Sequence, residues 1–376
     1  MSRRRRAFLA TAGSVAVGGC VALRADPNTS ENDDPGPPVA PNPPSEPKPQ
    51  RTTIGFGGDT MLGRRLNGLY GGPDDDPTAV WGDLRPRLES LDAVCCNLEC
   101  CLSTRGEPFP NRAYHFRGDP AWVIPALRAG NVRFAALANN HAMDYGPVSL
   151  TDTIDALESG GIECAGTGAT PDATLEPATF SAGDVSVACV SVSDQGGTYA
   201  VTDNRPGIAY VETDPENAET QRIVGEALER ARAHDPDLLV ASVHWGRNWI
   251  ERPSDRLVAF GHWLVDQGVD LVHGHSAHVV QAVERYGDGV ILHDTGDLVD
   301  DFGVKSGVRN DRSYLFEVTL EDGRFEEVRL FPIEIYDRVT RASEETAAWL
   351  RETMRARSAP FETTYERDGN CLVVRL

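Results

Sequence analysis

Val272-His273-Gly274-His275-Ser276-Ala277-His278-Val279-Val280-Gln281 carries three of the chain's nine histidines in six residues, directly behind the apolar run Gly268-Val269-Asp270-Leu271-Val272. A β-branched run ending in clustered imidazoles is the pattern of a buried strand that delivers ligands at its end. Imidazole serves Zn, Mn and Fe alike, and Gly274 is expected to turn the backbone so that His275 and His278 aim at one point. Satisfied, half-buried histidines would explain any one of these rings but not three together.

The same grammar recurs outward from this stretch. Thr52-Thr53-Ile54-Gly55-Phe56-Gly57-Gly58-Asp59 is a strand that ends in glycines and an acid, and Asp92 to Cys96 is a strand followed by Asn97 and Glu99. Arg133 to Ala138 leads into Asn139-Asn140-His141, and Leu238 to Gly246 delivers His244. Open α/β sheets place their ligands at such strand ends, and a metal site built across one sheet edge needs O and N donors from several of them. Taken singly, each has a plainer role, as turn acid, helix cap or left-handed turn residue.

Between these strands the spacing predicts helices over Trp81 to Leu91, Pro120 to Gly130, Pro147 to Gly160, Asn217 to Ala233, Ser254 to Gln267 and Ser343 to Arg357, with a short one over Thr60 to Leu69. Ala178 to Ser181 and Val185 to Val192 read as an antiparallel pair turned at Gly183-Asp184. Strands are also expected over Val279 to Arg285, Gly289 to His293, Tyr314 to Leu320 and Arg324 to Ile335. Strands alternating with helices, plus inserted hairpins, predict an α/β (α+β) domain with mixed sheets.

Arg5-Arg6-Ala7-Phe8-Leu9 opens a small-residue apolar stretch ending at Val17-Gly18-Gly19-Cys20, which reads as a twin-arginine export signal with a lipobox. Residues 1–19 would then be removed and Cys20 lipidated, leaving the protein anchored on the extracellular face of the cell membrane. Residues 20–51, rich in Pro, Asp, Glu, Asn and Ser, read as a tether, because such composition cannot bury enough apolar area to offset ordering. A domain over 52–336 and a helix-and-strand extension over 337–376 complete the expected organisation.

Formal net charge is −21, and loss of Arg3, Arg4, Arg5 and Arg6 with the signal makes the mature chain four charges more acidic. Only two lysines, Lys48 and Lys305, are present. This composition argues against nucleic acid as a partner, since phosphate binding rests on clustered Lys and Arg, and suits a surface working in high salt. Cys95, Cys96, Cys100 and Cys101 resemble a zinc set, but neighbours on a strand face opposite ways, so buried apolar thiols, with one disulfide among the cysteines, are the expectation.

Gly58-Asp59-Thr60-Met61-Leu62-Gly63, Asn97-Leu98-Glu99, Asn139 to Gly146, His244-Trp245-Gly246, Gly274-His275-Ser276-Ala277-His278 and Gly296-Asp297 resemble, in order, the motifs of the CapA family. These poly-γ-glutamate capsule synthesis proteins group with the calcineurin-like metallophosphoesterases. The resemblance spans about residues 53 to 335. It implies a four-layer αββα sandwich of two mixed β-sheets with a centre for a divalent metal (Mn, Zn or Fe) at one edge. Asp59, Glu99, Asn140, His244, His275 and His278 are the implied ligands, and His141 the group that protonates a leaving group or steadies an anion. Asn97 and Arg117 are implied substrate contacts, and a salt bridge to Asp119 is the structural alternative for Arg117. His115 and His293 fit none of the motifs and read as structural. The first motif lacks the histidine of Asp-x-His, and Gly-His-Ser-Ala-His replaces Gly-His-His-Pro-His, which leaves one or two ions open. The implied function is synthesis, anchoring or release of an anionic exopolymer such as poly-γ-glutamate, alongside a membrane synthase complex. A plain phosphoesterase acting on phosphate esters but not on γ-glutamyl peptides, or a non-catalytic polymer-binding subunit, are the alternatives, and a small phosphate or γ-glutamyl substrate is the alternative ligand to the polymer.

Overall fold

Ile54 and Phe56 point to one side of the first strand, and only glycines, Gly55 and Gly57, occupy the alternating positions. A Cβ on Gly58 would lie 1.8 Å from the Gly296 carbonyl oxygen. That close approach lets Asp59 N–H donate to Gly296 at 2.8 Å. The strand end is thereby fixed by backbone contact that any side chain would forbid.

The computed structural model describes residues 50–376; the export signal, Cys20 and the tether as far as residue 49 lie outside the described residues. The first sheet begins with β1 (Arg51–Thr60), β2 (Ala93–Leu98), β3 (Val132–Ala136) and β4 (Glu163–Ala165). The chain then builds the whole second sheet from β5 (Ala178–Ala182), β6 (Val185–Ser193), β7 (Leu238–His244), β8 (Leu271–His275), β9 (Val283–Tyr286) and β10 (Gly289–Leu292). It returns to the first with β11 (Asp297–Val299), β12 (Arg312–Glu321), β13 (Arg324–Ile335), β14 (Val339–Arg341), β15 (Glu366–Asp368) and β16 (Cys371–Arg375).

The first sheet runs β15-β16-β13-β12-β1-β2-β3-β4, with β11 beside β1 and β14 beside β13; the second runs β9-β10-β8-β7-β6-β5. Both are mixed. β1 through β4 pair in parallel and β12 joins β1 antiparallel, while β6, β7, β8 and β10 are parallel and β5 and β9 antiparallel at the two edges.

Burial sorts the layers. Ile54, Phe56, Phe134, Val187, Val240, Leu271 and Phe316 form one cluster drawn from both sheets, so the sheets pack face to face. Helices α1 (Pro120–Ala129) and α2 (Pro147–Gly160) cover the outer face of the first sheet, with Val123, Leu127 and Leu157 against Val94, Ala135 and Leu315. α3 (Ala218–Ala233) and α4 (Asp255–Asp266) cover the second, with Leu228 and Phe260 against Val190, Leu239 and Val272. This is the four-layer sandwich implied by the sequence motifs. α5 (Glu344–Ser358) sets Leu350 and Met354 beside Leu330 and Leu372, and β16 pairs with β13, so the C-terminal residues complete the first sheet.

Two expectations need correction. The helix anticipated over Trp81 to Leu91 is a 3-10 segment, Pro77–Leu84, broken at Gly82 (φ 47°) and followed by one short helix, Arg85–Glu89. Gly82 at positive φ and Pro86 in the first turn of the second piece divide it. All seven cysteines among the described residues are free thiols, so no disulfide forms among them. Cys95 faces the inter-sheet core and Cys96 the outer layer, as strand alternation requires.

Candidate metal centre

The two sheets bring their parallel strands to one edge, and the ligands follow from register. Asp59 on β1 lies opposite Asn97 on β2, and His244 on β7 opposite His275 on β8. Asp59, Glu99 and His275 are fully buried, and His244 and His278 nearly so. His244 Nδ1 and His275 Nδ1 are 2.9 Å apart, and each lies 3.6–3.7 Å from Asp59 Oδ1. Two ligands about a tetrahedral ion with bonds of ~2.0 Å are separated by ~3.3 Å, so these three atoms suit one cation. A second group shares Asp59: its Oδ2 lies 3.1 Å from His278 Nδ1, which is 2.9 Å from Asp297 Oδ1.

Supporting contacts fix each ring. Asn140 Oδ1 lies 2.9 Å from His244 Nε2, which leaves Nδ1 as the unprotonated face. Ser242 Oγ holds His275 Nε2 at 3.0 Å, and Asn97 donates to Asp59 Oδ1 at 2.7 Å. Asp294 accepts from Ala277 and Gly296 N–H groups, pinning the turn after β8. That turn differs from the sequence expectation. Gly274 stays extended within β8, its missing side chain admitting the His293 carbonyl (2.2 Å from an ideal Cβ), while Ser276 (φ 116°) and His278 (φ 56°) carry the bend. Non-glycine residues in that region store backbone strain, which the Asp294 contacts hold in place.

Whether the donor set fits a cation is answered by what the protein leaves unpaired. Both carboxylate oxygens of Glu99 and Oδ2 of Asp297 are buried without a hydrogen-bond partner, an arrangement that costs free energy unless a cation joins them. Asp59, Glu99, Asp294, Asp297 and Asp300 are all buried in this corner. Burial, and after it the charge of Asp59, pushes Glu99 well above the usual carboxylate range. His278 is raised against the effect of burial by Asp297 and Glu99. Burial depresses His244 to about 3 and holds His275 well below its ordinary value, so both rings stay neutral and available as ligands. Excess buried acid around neutral imidazoles suits a divalent ion.

His141 stands beside the cluster, its Nε2 3.8 Å from Glu99 Oε1 and its Nδ1 2.5 Å from Asp144 Oδ2. Asp144 is fully buried and also accepts from Phe116 N–H and Tyr199 O–H, so it cannot swing away. Burial lowers the His141 pKa, an effect the Asp144 hydrogen bond opposes.

The structure thus gathers Asp59, Glu99, Asn140, His244, His275, His278, His141 and Asn97 into one connected corner. Arg117 lies apart: its guanidinium stacks 3.8 Å from the Tyr145 ring centroid, and Asp119 caps α1 by accepting from Ala121 N–H. His273 bonds the Gly57 carbonyl at 3.0 Å, and His115 and His293 bond Phe109 O and Glu284 respectively. Sequence reasoning assigned no role to Asp297, Asp144, Asn139 or Arg112. Asp297 sits at a strand start rather than an end, and Asp144 follows His141 by three residues, a spacing that was the available signal.

Two facing mixed sheets, helices outside and a carboxylate–imidazole cluster at one edge make this a four-layer αββα sandwich protein with a candidate metal centre. Within that class, the family model of the bacterial capsule synthesis protein PGA_cap matches residues 53–302, and the chain belongs to this family. It is 32% identical over 317 residues to a probable polyglutamine synthesis accessory protein of Mycobacterium tuberculosis, a match covering 81% of this chain and 82% of that one. It is 27% identical to the PGA biosynthesis protein CapA of Bacillus subtilis (75% and 71% covered) and 26% to the capsule biosynthesis protein CapA of Bacillus anthracis (77% and 68%).

Proposed function

We propose that this chain serves synthesis, anchoring or release of an anionic exopolymer of the poly-γ-glutamate kind, through a metal-dependent hydrolase or transferase centre. The observation that carries the reading is the pair of donor groups sharing Asp59, with Glu99 lacking any hydrogen-bond partner and lying 3.6 Å from His244 of one group and 3.9 Å from His278 of the other. Asp59, His244 and His275 would hold one ion, and Asp59, His278 and Asp297 would receive a second, with Glu99 in reach of both groups and Asn140 beside the first. Bound there, a divalent metal supplies Lewis-acid polarisation and a nucleophile at neutral pH. Asp144 keeps the His141 Nδ1 proton in place, so that Nε2 faces the cluster and moves a proton to or from the substrate. Asn97 and Asn139 hold the carboxylate and the His141 backbone in register by a chain of hydrogen bonds from Asp59 to His141 N–H.

Export through the twin-arginine route, lipid attachment at Cys20, residence on the outer face of the membrane and work beside a membrane synthase complete the proposal. Among the described residues no helix is long and apolar enough to cross a membrane; in this reading the lipid on Cys20 is the anchor. Replacing Cys20 with Ala is then expected to release the protein into the medium; unchanged membrane retention would remove the lipoprotein claim. The central test is metal analysis of purified protein with a turnover screen on phosphate esters and γ-glutamyl peptides. Bound metal and γ-glutamyl turnover are expected; turnover of phosphate esters alone would make it a plain phosphoesterase.

A further inference from the structure

Three aromatic rings lie against His141 and His278 of the metal cluster, and three cations lie beside them. Phe116 meets His141 edge-on at 4.6 Å between ring centroids, and Phe302 packs on Phe116 at 5.6 Å and on His278 at 5.3 Å. Trp249 completes the collar, 5.1 Å from His278 and 5.8 Å from Phe302. Arg64 lies 5.0 Å from the Phe116 centroid and Lys305 4.8 Å from that of Trp249. Arg112 reaches His141 Nδ1 at 3.4 Å and Asp144 at 3.2 Å.

Arg112 is paired with Asp144, whereas for Lys305 and, beside Asp301, Arg64 the ring faces hold the cation in place without neutralising it. Lys305 is exposed and has no carboxylate within ion-pair distance among the described residues, and the one such contact of Arg64 is to Asp301 at 3.5 Å. In a chain of net charge −21, one of its two lysines is therefore kept at the mouth of its most acidic corner. The Trp249 ring and the field of the buried acids hold Lys305 there, and its exposed ammonium is left free to meet an anionic ligand. Arg64 and Lys305 rest on different rings, so the positive charge is spread round the opening rather than gathered at one point. A compact phosphate would meet one of them; a chain with a carboxylate on each repeating unit can meet several.

We propose that Arg64, Arg112 and Lys305 form a specificity collar that seats successive side-chain carboxylates of a γ-glutamyl chain on either side of the bond presented to the metal cluster. This rests on the exopolymer reading above and assigns its substrate contacts to residues outside the six recognised motifs.

The test is calorimetric titration of γ-linked triglutamate, and separately of inorganic phosphate, into the protein and its Lys305→Ala, Arg64→Ala and Lys305→Arg variants, each with its metal content measured. Triglutamate affinity is expected to fall on the order of tenfold in each alanine variant, as loss of one charge-assisted contact implies, and to return in Lys305→Arg, with bound metal unchanged. Lys305 is exposed, so its variant does not depend on the core for folding. Unaltered affinity in both alanine variants, no triglutamate binding by the parent protein, or phosphate binding more tightly with the same losses would each overturn the collar. Titrating metal-free protein separates the two readings: the same losses without metal keep the collar even if the centre proves to hold no ion.

Discussion

His275 and His141 belong to the same buried corner, linked through His244 and Glu99, yet their surroundings set them different tasks. His275 faces Asp59 and His244, so His275→Ala is expected to lower bound metal and turnover together. His141 is held by Asp144 outside both donor groups, so His141→Ala should keep the metal and lose turnover by ~10²–10⁴, the range typical of acid–base groups. Equal metal loss in both, read by metal analysis, would make His141 a ligand. Acid stability turns on neighbouring rings. Burial lowers His273 to about 4 and His244 to about 3, against 6.5 for a free ring. Above pH 6.5 neither state is protonated and the full stability is present. Below it the unfolded chain takes protons that the folded chain refuses, so stability falls as pH drops from 6.5 toward 4. The slope is about 1.4 kcal/mol per pH unit for each proton. Because the raised His278 and Glu99 act in the opposite sense, the check is a difference: denaturant titration of metal-free protein and of a His273→Gln variant at pH 7, 6 and 5, where an identical pH dependence in the two would contradict the burial of that ring.

At the scale of elements, β1 shows what sequence can and cannot reveal. Its alternation and terminal acid are legible, and so are the five strand ends that carry Asp59, Asn97, Asn140, His244 and His275, because period-2 patterns and abrupt polar endings are local signals. The bulge between Phe56 and Asp59 against β2 and the parallel pairing with β11 are not, since each depends on a partner strand remote in the sequence. Gly274 misleads for the same reason: a glycine needed for close approach looks, in sequence, like one needed for a turn. Asp297 escapes notice as a ligand because its role depends on where β11 lies. Gly58→Ala tests the approach directly. With the Gly296 carbonyl 1.8 Å from the new methyl group, backbone must shift, and a loss of about 1–3 kcal/mol is expected by denaturant unfolding, together with weaker metal binding.

For the whole molecule, charge outweighs any single contact. An excess of acidic groups destabilises a compact chain by self-repulsion, and salt at ~1 M shortens the screening length to about 3 Å. The thermal midpoint is therefore expected to rise as NaCl is added, measured by scanning calorimetry, while an equimolar neutral osmolyte should not reproduce the full shift. Surface pairs such as Arg222–Glu219 and Arg85–Glu89, both largely exposed, contribute little to this balance. The buried corner responds differently, because a bound ion there neutralises acids that bulk salt cannot reach.

That corner also joins the halves of the sandwich. Asp59 belongs to the first sheet and His244 and His275 to the second, so an ion between them is a rivet through two plates that each carry their own hydrogen-bond ladder. Its removal would loosen one end of the seam and leave the far end shut. Amide exchange should record this as a gradient: protection gained on metal binding at Asp59 to Met61 and at His244 and His275, fading toward Arg51 and Leu238 at the opposite ends of the same strands.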